Sequence, residues 1–188
     1  MHAFAMMERM VAMHESGHTV VALALGIELL KTSVSERRTE CGPAFSAAVR
    51  GPATTSENAV LGALFALGGN VYEDLDLLYG DDLTPIPLSE PMGSVPTHDD
   101  AGNAYRLARV LGGSRDACMT VAVLMDWTRN VVRKNEGPAK AITEALLRSD
   151  PLSGGDARTV WLEHGGRHQP ASFVGDVLAG LRARGLVA

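Results

Sequence analysis

Met10 to Gly26, MVAMHESGHTVVALALG, is the stretch on which the reading of this chain turns. At its centre His14-Glu15-Ser16-Gly17-His18 is an HExxH pentad. On an α-helix, residues four apart lie one above the other, about 6 Å along the axis and roughly 40° round it. Two imidazoles at that spacing can bind one divalent ion from a single helix face. Glu15, beside them, is placed to take a proton from a water on that ion. This is the zinc-hydrolase pattern of two His ligands, a third ligand from elsewhere and a general base. Such a pentad arises from composition alone in about one chain of this kind per hundred, so its surroundings decide. Met10, Val11, Met13, Val20, Val21, Leu23, Ala24 and Leu25 surround it at helical spacing. They predict a helix from about residue 5 to 26, with both imidazoles in a largely buried wall and Gly26 as its stop. The competing reading is a buried helix with two satisfied core histidines.

The rest of the composition sets bounds. A chain of 188 residues, 46% hydrophobic and 21% charged, is ordinary globular material and long enough for a sizeable core. Net charge is −5 with 5% aromatics and no basic run, so the footprint of a nucleic-acid binder is missing. Arg37-Arg38 reads as a solvated loop pair. Cys41 and Cys118 lack CxxC spacing and read as reduced thiols, which favours a reducing compartment. The apolar N-terminus has no positive n-region and runs into the pentad helix, unlike a signal peptide. The longest apolar run, Thr19 to Leu30, is broken by Glu28 and is too short to span a bilayer. The expectation is a cytoplasmic protein without a membrane segment.

Beyond the pentad, Leu30 to Ser35 and Ala44 to Arg50 read as short strands, separated by the polar run Glu36 to Pro43. Ser56 precedes a second helix to about Tyr79, with Val60, Leu64, Leu67, Val71, Leu75 and Leu78 on one stripe. Gly68-Gly69 inside it costs roughly 1 kcal/mol per residue against alanine, which close helix packing near Glu73 would explain. Residues 80 to 97 hold four prolines and read as a long loop. Further helices are expected from Thr97-His98-Asp99-Asp100 onward, over Asp116 to Lys134, from Pro138 to Arg148, after the Ser153-Gly154-Gly155-Asp156 capping box, and over Ala171 to Arg184. The predicted fold is mostly α (α+β), a helical bundle with a small β element. It forms a single domain, with the metal-site half over residues 1–112 and a helical part over 113–188.

The metal needs a third protein ligand. His98, Asp99, Asp100, Glu73 and Asp74 all sit where they could approach the first helix. Asp100 has a bland role open to it, because Thr97-x-x-Asp100 matches a capping box. Glu73 could instead orient a ligand histidine through its free ring N–H. Spacing alone does not separate Asp100 from Glu73. His164 and His168 are also four apart, but Gly165-Gly166 lie between them and a solvated loop is the better reading.

The order of these motifs resembles the protease domain of the FtsH family of ATP-dependent zinc proteases. His14-Glu15-Ser16-Gly17-His18-Thr19-Val20-Val21 is similar to that family's HEAGH helix, and Lys31-Thr32-Ser33-Val34 to its short strand. Leu67-Gly68-Gly69-Asn70-Val71-Tyr72-Glu73-Asp74-Leu75 is similar to its Gly-Gly-Arg-x-Ala-Glu-Glu helix, with Asn70 in place of arginine. Asp99-Asp100-Ala101-Gly102-Asn103-Ala104-Tyr105 is similar to the Asn-Asp-Leu segment that supplies the family's third ligand. The likeness covers roughly residues 8 to 162. It implies one zinc ion per chain held by His14, His18 and Asp100, with Glu15 as base. Glu73 would be a carboxylate close to the site, and Asp99 and His98 its neighbours; His98 is also a guess for an oxyanion helper.

The reading that follows is a zinc metallopeptidase acting on peptides or unfolded protein segments; an exposed edge strand within Phe45 to Val49 is the expected place for an extended substrate to add. The family's ATPase module has no counterpart among these motifs, so folded substrates call for a separate ATPase partner; homo-oligomerisation is a further expectation. The alternative is a non-catalytic, metal-stabilised regulatory or binding domain. An intact Glu15 argues against it, since a structural zinc site needs no base.

Overall fold

Helix α1 (His2–Ala24) has apolar side chains on nearly every side of its second half, and every residue from Glu15 to Ala24 is buried. It ends where Gly26 takes φ +70°, with Gly26 N–H donating to Leu23 and Ile27 N–H to Ala22, the paired bonds of a Schellman cap. In this computed structural model, which describes residues 2–50, 55–78, 100–112 and 117–187, α1 shares the middle of the molecule with α3 (Ser56–Leu78). Around this pair lie α2 (Pro43–Arg50), α4 (Asp100–Gly112), α5 (Ala117–Lys134), α6 (Glu136–Arg148), α7 (Gly154–Glu163) and α8 (Phe173–Ala183). Helices α4, α5 and α8 pack on α3, while α6 covers α1. Val20, Val21, Leu64, Leu107, Ile142 and Trp161 are among the fully buried side chains of one continuous core. The fold is thus mostly helical with a small sheet. No helix among the described residues is long and apolar enough to cross a membrane.

The sheet has the order β2-β1-β3, all antiparallel, with β1 (Leu29–Ser33) between β2 (Arg38–Cys41) and β3 (Leu152–Ser153). Thr32 faces Thr39 across the hairpin, and Lys31 and Thr32 face Ser153 and Leu152 on the other side. Asp150 holds the hairpin turn from a distant part of the chain: its carboxylate accepts from Val34 N–H at 2.6 Å and Ser35 N–H at 2.9 Å.

Two expectations are corrected here. Ala44 to Arg50 is not a strand but most of α2: Pro43 opens it, its alanines favour a helix, and Phe45 and Val49, four apart, turn toward α3. The second strand lies instead inside the polar run Glu36 to Pro43, as β2. Its Thr39 side chain faces inward to a polar partner, so no apolar alternation marked it. Helix α6 also starts two residues before Pro138, at Glu136. The remaining helices follow the predicted spans closely, and the Ser153 hydroxyl accepts from Asp156 N–H as the capping box requires. Residues 80–97, with the expected proline-rich loop, lie outside the described residues.

Helices α1 and α3 cross glycine on glycine. A Cβ on Gly17 would run into the Gly68 carbonyl and come within 2.9 Å of the Tyr72 Cβ; one on Gly68 would lie 2.8 Å from the Gly17 carbonyl oxygen. Alanine raises helix propensity by about 1 kcal/mol, but the obstacle is backbone and cannot rotate aside. Gly17→Ala is therefore expected to lose about 1–3 kcal/mol net, read as a lower thermal midpoint. A variant that melts at or above the wild type would refute so close a crossing.

Candidate metal centre

The crossing fixes what lies above it. His14 and His18 occupy successive turns of α1 and project over Gly69 of α3, where a Cβ would sit 2.6 Å from His14 Nε2 and 2.7 Å from His18 Nε2. Only a residue without a side chain leaves room for both rings. His18 Nδ1–H donates to the Phe65 carbonyl at 2.8 Å, which leaves Nε2 as the free lone pair. His14 Nδ1 stands 3.3 Å from Glu73 Oε2, so its Nε2 is aimed the same way. Both Nε2 atoms converge on Asp100 Oδ2, at 2.8 Å from His14 and 3.1 Å from His18, and lie 3.1 Å from each other.

Three acceptor atoms facing one another repel unless a cation lies among them. A proton on His14 Nε2 can serve, and so can a metal ion. Ligands on a tetrahedral zinc with bonds of about 2.0–2.1 Å stand about 3.3 Å apart, so this set needs only slight expansion. His14, His18 and Asp100 together form a group able to hold a metal ion. The structure thereby separates the two carboxylates that spacing left level: Asp100, the first residue of α4, reaches the centre, while Glu73 stands behind His14. Asp74 is not in the ligand group; burial raises its pKa, Arg129 opposes this and Glu73 adds to it. His98 and Asp99 lie outside the described residues. His164 and His168 fall after α7, His164 bonding Val160 and His168 packing on Trp161, as the loop reading expects.

Glu15 is 3% exposed, yet it is not sealed in, for it lines a cleft of about 280 Å³ beside His18 and Asp100. Thr39 of β2 donates its hydroxyl to Glu15 Oε2 at 2.7 Å, and Thr32 lies 2.9 Å from Thr39. Sequence reasoning missed Thr39. Burial raises the Glu15 pKa, and Asp100 adds to this, while His18, the Thr39 hydrogen bond and His14 pull it back. The outcome is a carboxylate more basic than a solvated one. The cleft runs between β2, α2, α3 and α4. Phe65 lies tilted against His18 at 5.1 Å, and Phe45 meets Phe65 edge-on at 5.5 Å, so an aromatic wall leads away from the His14–His18–Asp100 group. Cys41 also faces this cleft, outside the ligand group; burial pushes its thiol up to about 12, so it is neutral in the metal-free protein.

Charge at the centre is set by the carboxylates. Burial alone would depress the His14 pKa, but hydrogen bonds and charges from Asp100 and Glu73 outweigh it and hold the imidazolium up to about 10. Burial likewise disfavours ionised Asp100, yet the two imidazoles keep it well below the usual carboxylate range. In metal-free protein at pH 7, His14 is thus protonated on a nitrogen that an ion requires. Loading with a divalent metal ion is expected to release about one proton per chain at pH 7, with apparent affinity rising toward pH 10 and flattening above it. Calorimetry in buffers of different ionisation enthalpy checks this; ion uptake without proton release would contradict it. Gly69→Ala is expected to bring metal content to well below one ion per chain by displacing the rings, and full loading of that variant would show that the rings can move aside.

The chain matches no protein-family model, and no curated protein is detectably similar to it.

Proposed function

We propose that this protein is a zinc-dependent metallopeptidase that hydrolyses peptide bonds in peptides or unfolded protein segments. The observation that carries the reading is the placing of Glu15: a buried, hydrogen-bonded carboxylate that opens onto a cleft beside the His14–His18–Asp100 group. A purely structural metal site has no use for such a base or such a cleft. The FtsH-like order of motifs is consistent with it.

Zinc held by His14, His18 and Asp100 would supply a Lewis acid that acidifies a water and polarises a carbonyl. The protein's own residues do the rest. Glu73 and the Phe65 carbonyl keep each imidazole in the tautomer that offers Nε2. Thr39 holds Oε2 of Glu15, leaving Oε1 to take the proton of the attacking water and return it to the departing amide nitrogen. The β-strand beside the cleft is β2, an edge strand, so an extended segment added along Arg38–Cys41 would pass Glu15. This replaces the expected docking on Phe45 to Val49, which belong to α2. The cleft has no means of unfolding a folded substrate, which leaves that task to a separate ATPase.

Glu15→Gln is expected to keep one zinc per chain and the wild-type thermal midpoint while slowing cleavage of casein or an unfolded peptide by about 10²–10⁴-fold. Zinc in both proteins with no cleavage by the wild type would favour the non-catalytic regulatory domain. Full turnover by the variant would remove Glu15 from the chemistry.

A further inference from the structure

Peptide hydrolysis needs a hydrogen-bond donor for the charge that grows on the scissile carbonyl oxygen, and a preorganised donor there is among the largest contributions a site can make. The cleft beside Glu15 offers few. Thr39 gives its proton to Glu15. Ser46 gives its own to the Cys41 carbonyl at 3.3 Å. Arg38 stands 3.4 Å from Glu40, two residues along the same strand, in an ion pair. Arg106 reaches the Val49 carbonyl at 3.4 Å, at the C-terminal end of α2. Arg37 also lines the cleft, but from the exposed hairpin turn, where its long side chain is not held in place as a preorganised donor must be. What remains is Asn103. It lies on α4 three residues after Asp100, hence one turn on and on the same side, where it shares the cleft with Glu15, His18 and Asp100. It is half-buried, and its amide has no hydrogen-bond partner among the described residues.

We propose that Asn103 is a catalytic residue whose side-chain N–H donates to the carbonyl oxygen of the scissile bond as its carbon becomes tetrahedral and the oxygen becomes negative. The inference rests on the peptidase reading. A neutral amide suits the place: it stabilises an anion without repelling the metal ion or neutralising Glu15, and it does not titrate. Helix α4 then supplies two groups from one face, Asp100 to the metal and Asn103 to the substrate, so the distance between them is fixed by helix geometry rather than by a loop.

The test compares zinc-loaded wild type with Asn103→Ala and the isosteric Asn103→Asp, on an unfolded fluorogenic peptide and on a phosphinic peptide, a tetrahedral anion that mimics the reacting carbon. In both variants kcat is expected to fall by about 10²–10³-fold with KM within about twofold, and phosphinic peptide affinity by calorimetry at least about tenfold, while zinc content and thermal midpoint hold. Asn103→Asp replaces the donor with an acceptor at equal size, so a loss there cannot be laid to a cavity. Unchanged kcat and phosphinic affinity in both variants would overturn the role of Asn103 and leave the peptidase standing. A wild type that holds zinc but neither cleaves nor binds the phosphinic peptide would overturn the peptidase reading itself.

Discussion

The close approach of α1 and α3 is the constraint on which everything else rests. Gly17 and Gly68 bring two backbones together where any other pair of residues would hold them apart. That contact places the imidazoles of α1 over Gly69 and within reach of the Phe65 carbonyl and Glu73 carboxylate of α3. A single helix can present two histidines at the right spacing, but it cannot orient their rings. Here the orientation comes from the neighbouring helix, and the neighbouring helix is near enough only because three positions lack side chains.

Electrostatics at the centre has the same dependence on packing. Asp100 is kept ionised and His14 protonated by each other, and Glu73 strengthens the imidazolium from the rear. The set is therefore neither a hydrophobic accident nor a loose surface cluster; it is a cage of opposed charge from which one proton must leave for an ion to enter. Glu15 lies next to this cage but is bonded to the sheet, through Thr39 and on to Thr32. Glu15 and the two histidines thus share a helix while answering to different partners.

Much of this was legible in the chain, and what was not has physical causes. Helix α1, its stop at Gly26 and the role of Gly68-Gly69 follow from local chemistry: apolar spacing, a left-handed residue, and a pair too costly for an isolated helix. The third ligand was level between Asp100 and Glu73 because both are carboxylates on helices of undetermined relative position; only tertiary distance separates them. The β2 strand was hidden since its inward residue, Thr39, is polar and meets a carboxylate rather than the core. Ala44 to Arg50 misled in the opposite sense, because Phe45 and Val49 carry strand-like side chains on a segment whose alanines and leading proline favour a helix. Asn103 leaves no local signal, for its interest lies in what surrounds it.

The hold of Asp150 on the Val34–Ser35 turn, with β3 completing the sheet at Leu152–Ser153, has an effect on the order of assembly. During synthesis the pentad and the hairpin emerge before the segments that hold them, and the hairpin has its clamp and its third strand only after residue 153 has been made. Helix α6, which covers α1, is also late. A nascent chain therefore carries the HExxH helix uncovered until α6 has been made, and the cleft wall that bears Thr39 is clamped only after β3. The geometry around Glu15 therefore depends on segments far along the chain from the pentad.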